Sequence, residues 1–211
     1  MKTDQLIGIL SGNVEPVRGE RLQKGLALAL AVGGVGAFCV MLGTVGLRPT
    51  GPPRLEYLAL RLVFTLSLIA IAAILLSRLA RPGQTGGKLL ALAFLPFLAI
   101  YAAGVIALGF EGPMVWGKML FGMNWVTCLL CIPLFAVVPF IALISFLRSG
   151  APTNLKLTGA IAGLLAGALG ATAYAFHCPD DSVPFIAFWY ASMVGLCSWV
   201  GALLGPKLLR W

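Results

Sequence analysis

The sequence predicts an all-α integral membrane bundle of six transmembrane helices with both termini cytoplasmic, and three observations carry that prediction. First, 60% of the 211 residues are hydrophobic and only 10% are charged, with a mean hydropathy of +0.98. An ordinary soluble chain is about a quarter charged, so this one has too few charges to coat a globule and most of its surface must face lipid. Second, the apolar residues gather into runs long enough for a helix to cross a hydrocarbon core of about 30 Å, without the short alternating strands of a barrel. Third, successive connections alternate between basic and nearly neutral, as the positive-inside rule requires. Together these exclude a soluble enzyme, a nucleic-acid-binding domain and a disordered tail. The net charge of +8, from 15 basic and 7 acidic residues, reads as basic cytoplasmic loops in a bilayer protein.

The chain divides into a cytoplasmic segment, residues 1–24, and a transmembrane domain, residues 25–211. Span one, Gly25–Leu47, is long and lacks a small-residue cleavage site, which argues against a signal peptide; Phe38 before Cys39 argues against a lipoprotein. Span two, Leu55–Leu79, carries Glu56 and Arg61 near its outer end, five residues apart on roughly opposed faces and so a poor pair. Span three, Leu89–Gly109, contains Pro96, and span four, Met119–Leu147, contains Pro133 and Pro139. Each proline removes a backbone donor and obstructs the carbonyl four residues earlier, so kinks are expected. Span five, Leu157–Phe176, places Gly159, Gly163, Gly167 and Ala171 on one face, where a neighbouring backbone approaches closely. Span six, Pro184–Leu204, repeats the pattern with Ala191/Gly195 and Gly201/Gly205. Intramolecular packing is the plain reading of both stripes, and a dimer seam is the alternative.

Lys2, Arg18, Arg21 and Lys24, then Arg78, Arg81 and Lys88, then Arg148 and Lys156, then Lys207 and Arg210 fall on one side, which is therefore cytoplasmic. Arg48, Arg54 and Lys118 fall on the other, so the loops near Arg48, Glu111 and Cys178 are outside. Tyr57, Trp116, Trp125, Tyr174 and Trp189 are expected at the outer interface.

The runs are almost free of ionisable groups, so neither a proton relay nor a charged pore is visible. No catalytic constellation or phosphate-binding loop is present; the chain reads as a non-enzyme with no obligatory cofactor. Chemistry gathers in two places. The outer loop His177-Cys178-Pro179-Asp180-Asp181 combines thiol, imidazole and carboxylate, the usual ligand types for zinc and related ions. Adjacent residues rarely ligate one ion together, so a partner must come from elsewhere. Counting about 20 residues back from Leu147 puts the outer boundary of span four near Cys128, at the same end as Cys178, with Cys131 one turn deeper in reserve. A Cys128/Cys178 pair would bind a soft metal transiently or form a disulfide, with His177 and Asp180 as auxiliary ligand candidates. From spacing alone, incidental cysteines are the favoured reading and a functional pair the alternative. The second place is the N-terminus. Thr3 looks like an N-cap, Asp4 suits the first turn, and Leu6, Ile7, Ile9 and Leu10 follow before Ser11-Gly12-Asn13 stops the helix. A helix this short needs a surface, either the bilayer or a partner protein.

Several stretches form a familiar pattern: Met1-Lys2-Thr3-Asp4-x-Leu6-Ile7, Gly46-Leu47-Arg48-Pro49, Gly150-Ala151-Pro152-Thr153, His177-Cys178-Pro179-Asp180-Asp181-Ser182, Trp189-Tyr190 and Gly205-Pro206-Lys207-Leu208-Leu209-Arg210-Trp211. From Met1 to Trp211 the chain resembles the NrsF family, the negative regulators of sigma-F. That resemblance implies a six-span anti-sigma factor of the bacterial inner membrane that holds an extracytoplasmic-function sigma factor inactive and does not contact nucleic acid directly. It further implies a stress response in which a periplasmic signal, heavy metal or thiol oxidation, is sensed by a cysteine pair mapping here onto Cys128 and Cys178. Sigma capture would then fall to the N-terminal segment, with Thr3, Asp4, Leu6, Ile7 and Leu10 as contacts, beside the Arg78–Lys88 and Arg148–Lys156 loops. The rival from another class is a small multi-span transporter or channel, for which Asn124, Thr127, Thr65 and Ser67 are the sparse polar lining.

Overall fold

Runs of Leu, Ala, Val and Ile in a solvent without water leave the helix as the one open-chain way to pair every backbone N–H and C=O within a segment. The computed structural model follows that constraint. It describes residues 19–48, 54–84 and 86–210, which are helical with no strand among them. The N-terminal contacts Thr3, Asp4, Leu6, Ile7 and Leu10 lie outside the described residues. The helices are α1 (Gly19–Thr44), α2 (Leu55–Leu79), α3 (Gly87–Leu92), α4 (Leu95–Gly109), α5 (Pro113–Phe121), α6 (Trp125–Leu147), α7 (Leu155–Ala175), α8 (Val183–Phe185) and α9 (Ala191–Leu208), with a π-helical turn at Ile186–Tyr190 joining the last two. They make up six candidate membrane spans, as expected of a multi-pass membrane protein.

Two expected spans are divided. Span three breaks into α3 and α4 around Ala93 and Phe94. Pro96 is the cause: it lacks the N–H that would bond the Leu92 carbonyl, and α3 ends at Leu92. Span four separates into α5 and α6 at Gly122–Asn124. Gly122 sits there at φ 53°, left-handed backbone that favours glycine. The helix that crosses therefore starts at Trp125 rather than Met119, and Cys128 falls in its first turn, its N–H bonded to the Asn124 carbonyl at 3.0 Å. Pro133 and Pro139 lie within an unbroken α6.

The centre of the bundle is α7, which packs most extensively against α9 and then against α6, α2 and α1. Its glycines explain the position. A Cβ on Gly163 would lie 3.0 Å from the Gly201 Cα and the Cys197 carbonyl carbon, and one on Gly170 would lie 2.8 Å from the Ile132 carbonyl oxygen of α6. The α7 backbone is thus wedged between two others, which answers the small-residue stripe as packing inside the bundle. Gly201 and Gly205 serve the same seam from α9, whereas Gly195 has nothing within 4 Å of a Cβ and takes no part in it. Tyr174 and Trp189, two of the aromatics expected at the outer interface, are buried. They are 0% and 9% exposed, turned into the protein at that end of the bundle, with Trp189 packed on Trp125 and donating to the Leu120 carbonyl.

The seam generates a paired prediction. Gly163→Ala should lower stability by about 1–3 kcal/mol, since backbone rather than a flexible side chain must yield. Gly195→Ala should be neutral or stabilise by up to about 1 kcal/mol through helix propensity. Thermal unfolding of the detergent-solubilised variants distinguishes them, and equal tolerance would contradict so close a seam.

Candidate functional site

The segment after α7 cannot continue as helix because Pro179 has no N–H to give. The last helical bonds run from the His177 and Cys178 N–H groups to the Tyr174 carbonyl, both at 3.0 Å. The loop that follows is fastened to four other elements. Arg48, just beyond α1, donates to both Asp181 oxygens at 2.8 and 3.1 Å and to the Pro179 and Cys178 carbonyls at 3.2 and 3.3 Å. Arg61 of α2 donates to the Cys178 carbonyl at 3.1 Å, to Asp181 Oδ1 at 3.2 Å and to the Asp180 carbonyl. The Asp180 carboxylate accepts the Met123 and Asn124 N–H groups at 3.0 Å each, at the entrance to α6, where a carboxylate also suits the helix dipole. His177 Nδ1 pairs with the Gly46 carbonyl at 3.0 Å, and the Ser182 hydroxyl donates to the Met119 carbonyl of α5 at 2.9 Å.

Arg61 is 0% exposed. An isolated buried guanidinium would cost several kcal/mol, so two carbonyls and a carboxylate collected around one side chain are the condition of its burial. Asp181 serves both arginines. Its partial burial alone would raise its pKa, but the hydrogen bond from Arg48 and the charges of both guanidinium groups outweigh that and hold it below the usual carboxylate range. Arg48 in turn is held above its ordinary value by Asp181, against the effect of burial.

Inside this clamp lie the thiols. Cys128 and Cys178 are both fully buried and unbridged, and Cys178 and Cys131 both act electrostatically on Cys128. Cys39 faces outward on α1, and Cys197 belongs to the α7–α9 seam. Burial pushes the Cys178 thiol up, opposed by the Arg61 charge, the Asp180 N–H and the Tyr190 hydroxyl. That hydroxyl reaches the sulfur only as a weak donor, short of full hydrogen-bonding geometry.

The structure thus leaves Cys128 and Cys178 buried and within electrostatic reach of each other, with His177 and Asp180 engaged on backbone groups of neighbouring elements. No group of three or more His, Cys, Asp and Glu side chains able to hold a metal converges among the described residues. Two thiols without a third ligand do not suit a closed tetrahedral zinc site; they suit a soft ion held by sulfur alone, or a disulfide. Sequence reading missed Arg61, Arg48, Tyr174 and Tyr190. The signal for Arg61 was available: an ionisable residue inside an apolar run is a site candidate by default.

Two outcomes follow from the clamp. Asp181→Asn leaves the buried Arg61 without its counter-charge and should cost roughly 3 kcal/mol, read as a fall in the apparent melting temperature, with Glu56→Gln at an exposed position as the inert control. Because the Asp181 pKa is depressed on folding, its contribution is complete above the unfolded carboxylate value near pH 4 and is lost as pH falls through the folded value. A melting temperature that begins to fall only below about pH 4 in the wild type, and much less in Asp181→Asn, is the expected profile.

The chain also has counterparts among known proteins. The family model described as negative regulator of sigma F matches residues 10–211. A protein of Azospira oryzae named "Probable anti-sigma-F factor NrsF" is 35% identical over 213 residues, and one of Caulobacter vibrioides named "Anti-sigma-F factor NrsF" is 34% identical over 221 residues; in both cases the whole of each chain is covered. No solved structure matches. The loop that Arg48 and Arg61 clamp over two thiols is therefore carried by a chain that belongs to the NrsF family, the negative regulators of sigma F, which are regulators rather than catalysts.

Proposed function

We propose that this protein is an anti-sigma factor of the bacterial inner membrane that sequesters an extracytoplasmic-function sigma factor and releases it when a periplasmic signal reaches Cys128 and Cys178. The sequestering half rests on the full-length likeness to anti-sigma-F factors. The sensing half rests on one observation: two thiols from distant parts of the chain lie buried, unbridged and within electrostatic reach of each other at one end of the bundle. The density of basic residues in the connections puts that end outside and both termini in the cytoplasm. Sequestration is competition by mass action, and the N-terminal segment around Thr3, Asp4, Leu6, Ile7 and Leu10 supplies its contact.

The signal is a soft metal ion or an oxidant that joins the two sulfurs. Either favours a state in which α6 and α7 sit differently, provided it interacts with the two states unequally. The α7 backbone carries the shift inward because its glycine contacts leave no slack on either side.

A pull-down from solubilised membranes of the same cell tests both halves. The wild type should recover one sigma factor, and deletion of residues 1–12 should abolish recovery. Exposure to a thiophilic metal or an oxidant should release it from the wild type and not from Cys128→Ser or Cys178→Ser. Recovery of no sigma factor under reducing, metal-free conditions would overturn the sequestering half; release from both serine variants would overturn the sensing half.

A further inference from the structure

Of the four buried polar atoms without a hydrogen-bond partner among the described residues, three belong to side chains around one sulfur. They are Arg61 Nε and the hydroxyls of Tyr174 and Tyr190, all on residues that are 0% exposed. The two hydroxyls reach Cys178 only as weak donors to its sulfur, short of full hydrogen-bonding geometry, and Arg61 acts on it by charge. The Arg61 guanidinium lies 5.8 Å from the Tyr190 ring centroid, and that ring lies 5.8 Å from the ring of Tyr174. Buried donors are rarely left unmet, because each loses its water without compensation. A thiol is a weak acceptor and does not answer three of them. An oxygen atom carried on that sulfur would.

We infer that Cys178 is a modification site, the residue at which a hydroperoxide forms a sulfenic acid, and that Arg61, Tyr174 and Tyr190 form the donor pocket that holds the sulfenyl oxygen. The inference rests on the cysteine-pair reading above and assigns the order of events within it. The peroxide O–O bond breaks, one oxygen bonds to the Cys178 sulfur, and the thiol proton leaves with the other oxygen as water or alcohol; sulfur is oxidised by two electrons and the peroxide is reduced. Cys128 then attacks. The S–S bond forms, the S–O bond breaks, and the departing oxygen leaves as water with the Cys128 proton. Burial of Cys178 beneath its half-buried loop selects for a small uncharged oxidant, since a charged one must shed its hydration to enter. Arg61 stays in place throughout because its other two nitrogens hold the loop carbonyls.

The test uses the full chain in lipid nanodiscs, treated with hydrogen peroxide in the presence of dimedone, with adducts mapped by mass spectrometry. Cys128→Ser removes the resolving thiol and should accumulate adduct at Cys178, about tenfold over Cys39, Cys131 and Cys197. Cys178→Ser should leave Cys128 unlabelled, and the wild type should give a Cys128–Cys178 disulfide in place of adduct. Adding Tyr174→Phe and Tyr190→Phe to Cys128→Ser keeps both rings and should lower the Cys178 adduct about tenfold through the lost hydrogen bonds. No adduct at Cys178, adduct at Cys128 in its place, or undiminished adduct in the phenylalanine variant overturns the inference. Sigma-factor retention is read on the same samples. Release by peroxide without a Cys178 adduct or disulfide refutes the pocket and spares the sensing reading, whereas adduct with the partner retained by the wild type does the reverse.

Discussion

A guanidinium with no exposed surface dictates much of this structure. Arg61 leaves α2 inside the bundle, where a charge is tolerated only with its charge balanced and its terminal nitrogens engaged. The Cys178 and Asp180 carbonyls and the Asp181 carboxylate meet that demand, and only a loop folded back over the end of the bundle can present all of them at once. Burial of Cys178 is therefore a consequence of burying Arg61. The same fold-back brings Asp180 to the entrance of α6 and His177 to the end of α1. The ends of the helices are set by a polar network, in a protein whose helix flanks are set by apolar contact.

The loop is covalently continuous with α7, and that continuity gives the site its reach. Lipid offers little hydrophobic drive for helices to associate, so small residues and close backbone contact do the work. On α7 they do so toward both α9 and α6. Such seams have one good register and poor neighbours, since close-packed interiors resist continuous deformation. On the sensing proposed above, a change in the separation of Cys128 and Cys178 would displace the start of α6 against the end of α7, the two helices that Gly170 holds in contact. The π turn at Ile186–Tyr190 adds a second adjustable element beside the same sulfur, an irregularity of the kind that clusters at functional sites.

Much of this was legible in the chain. Length and apolarity decide spans, and the six runs agree with the helices except where Pro96 and Gly122 divide them. The boundary of span four could be counted back to Cys128 because a bilayer has a fixed thickness. Four-residue spacing identified the α7 face, although the same spacing misled at Gly195, where a stripe exists without a neighbour. Pairings between distant segments were not legible. Arg61 and Asp181 find each other only in three dimensions, and comparing Arg61 with Glu56 looked for its partner on the wrong element. The burial of Tyr174 was not legible for a related reason. An aromatic near a span end reads as facing the membrane interface unless its helix is central, and centrality is a property of the assembled bundle.

The unmet donors around Cys178 bear on why the site takes this form. A stable core of this size would more simply carry phenylalanine at both tyrosine positions, since a buried hydroxyl without an acceptor lowers stability. Keeping two such hydroxyls and a free guanidinium Nε beside the same sulfur raises the free energy of the reduced state relative to any state in which the sulfur carries an acceptor. The sensing proposed above needs that inequality, because a signal shifts an equilibrium only by the difference in its interaction with the two states. The strained partner in this switch is then a deficit of acceptors within the polar network, and the backbone needs no distortion of its own. That accounts for a loop held so firmly by Arg48 and Arg61 around a sulfur whose own donors are left waiting.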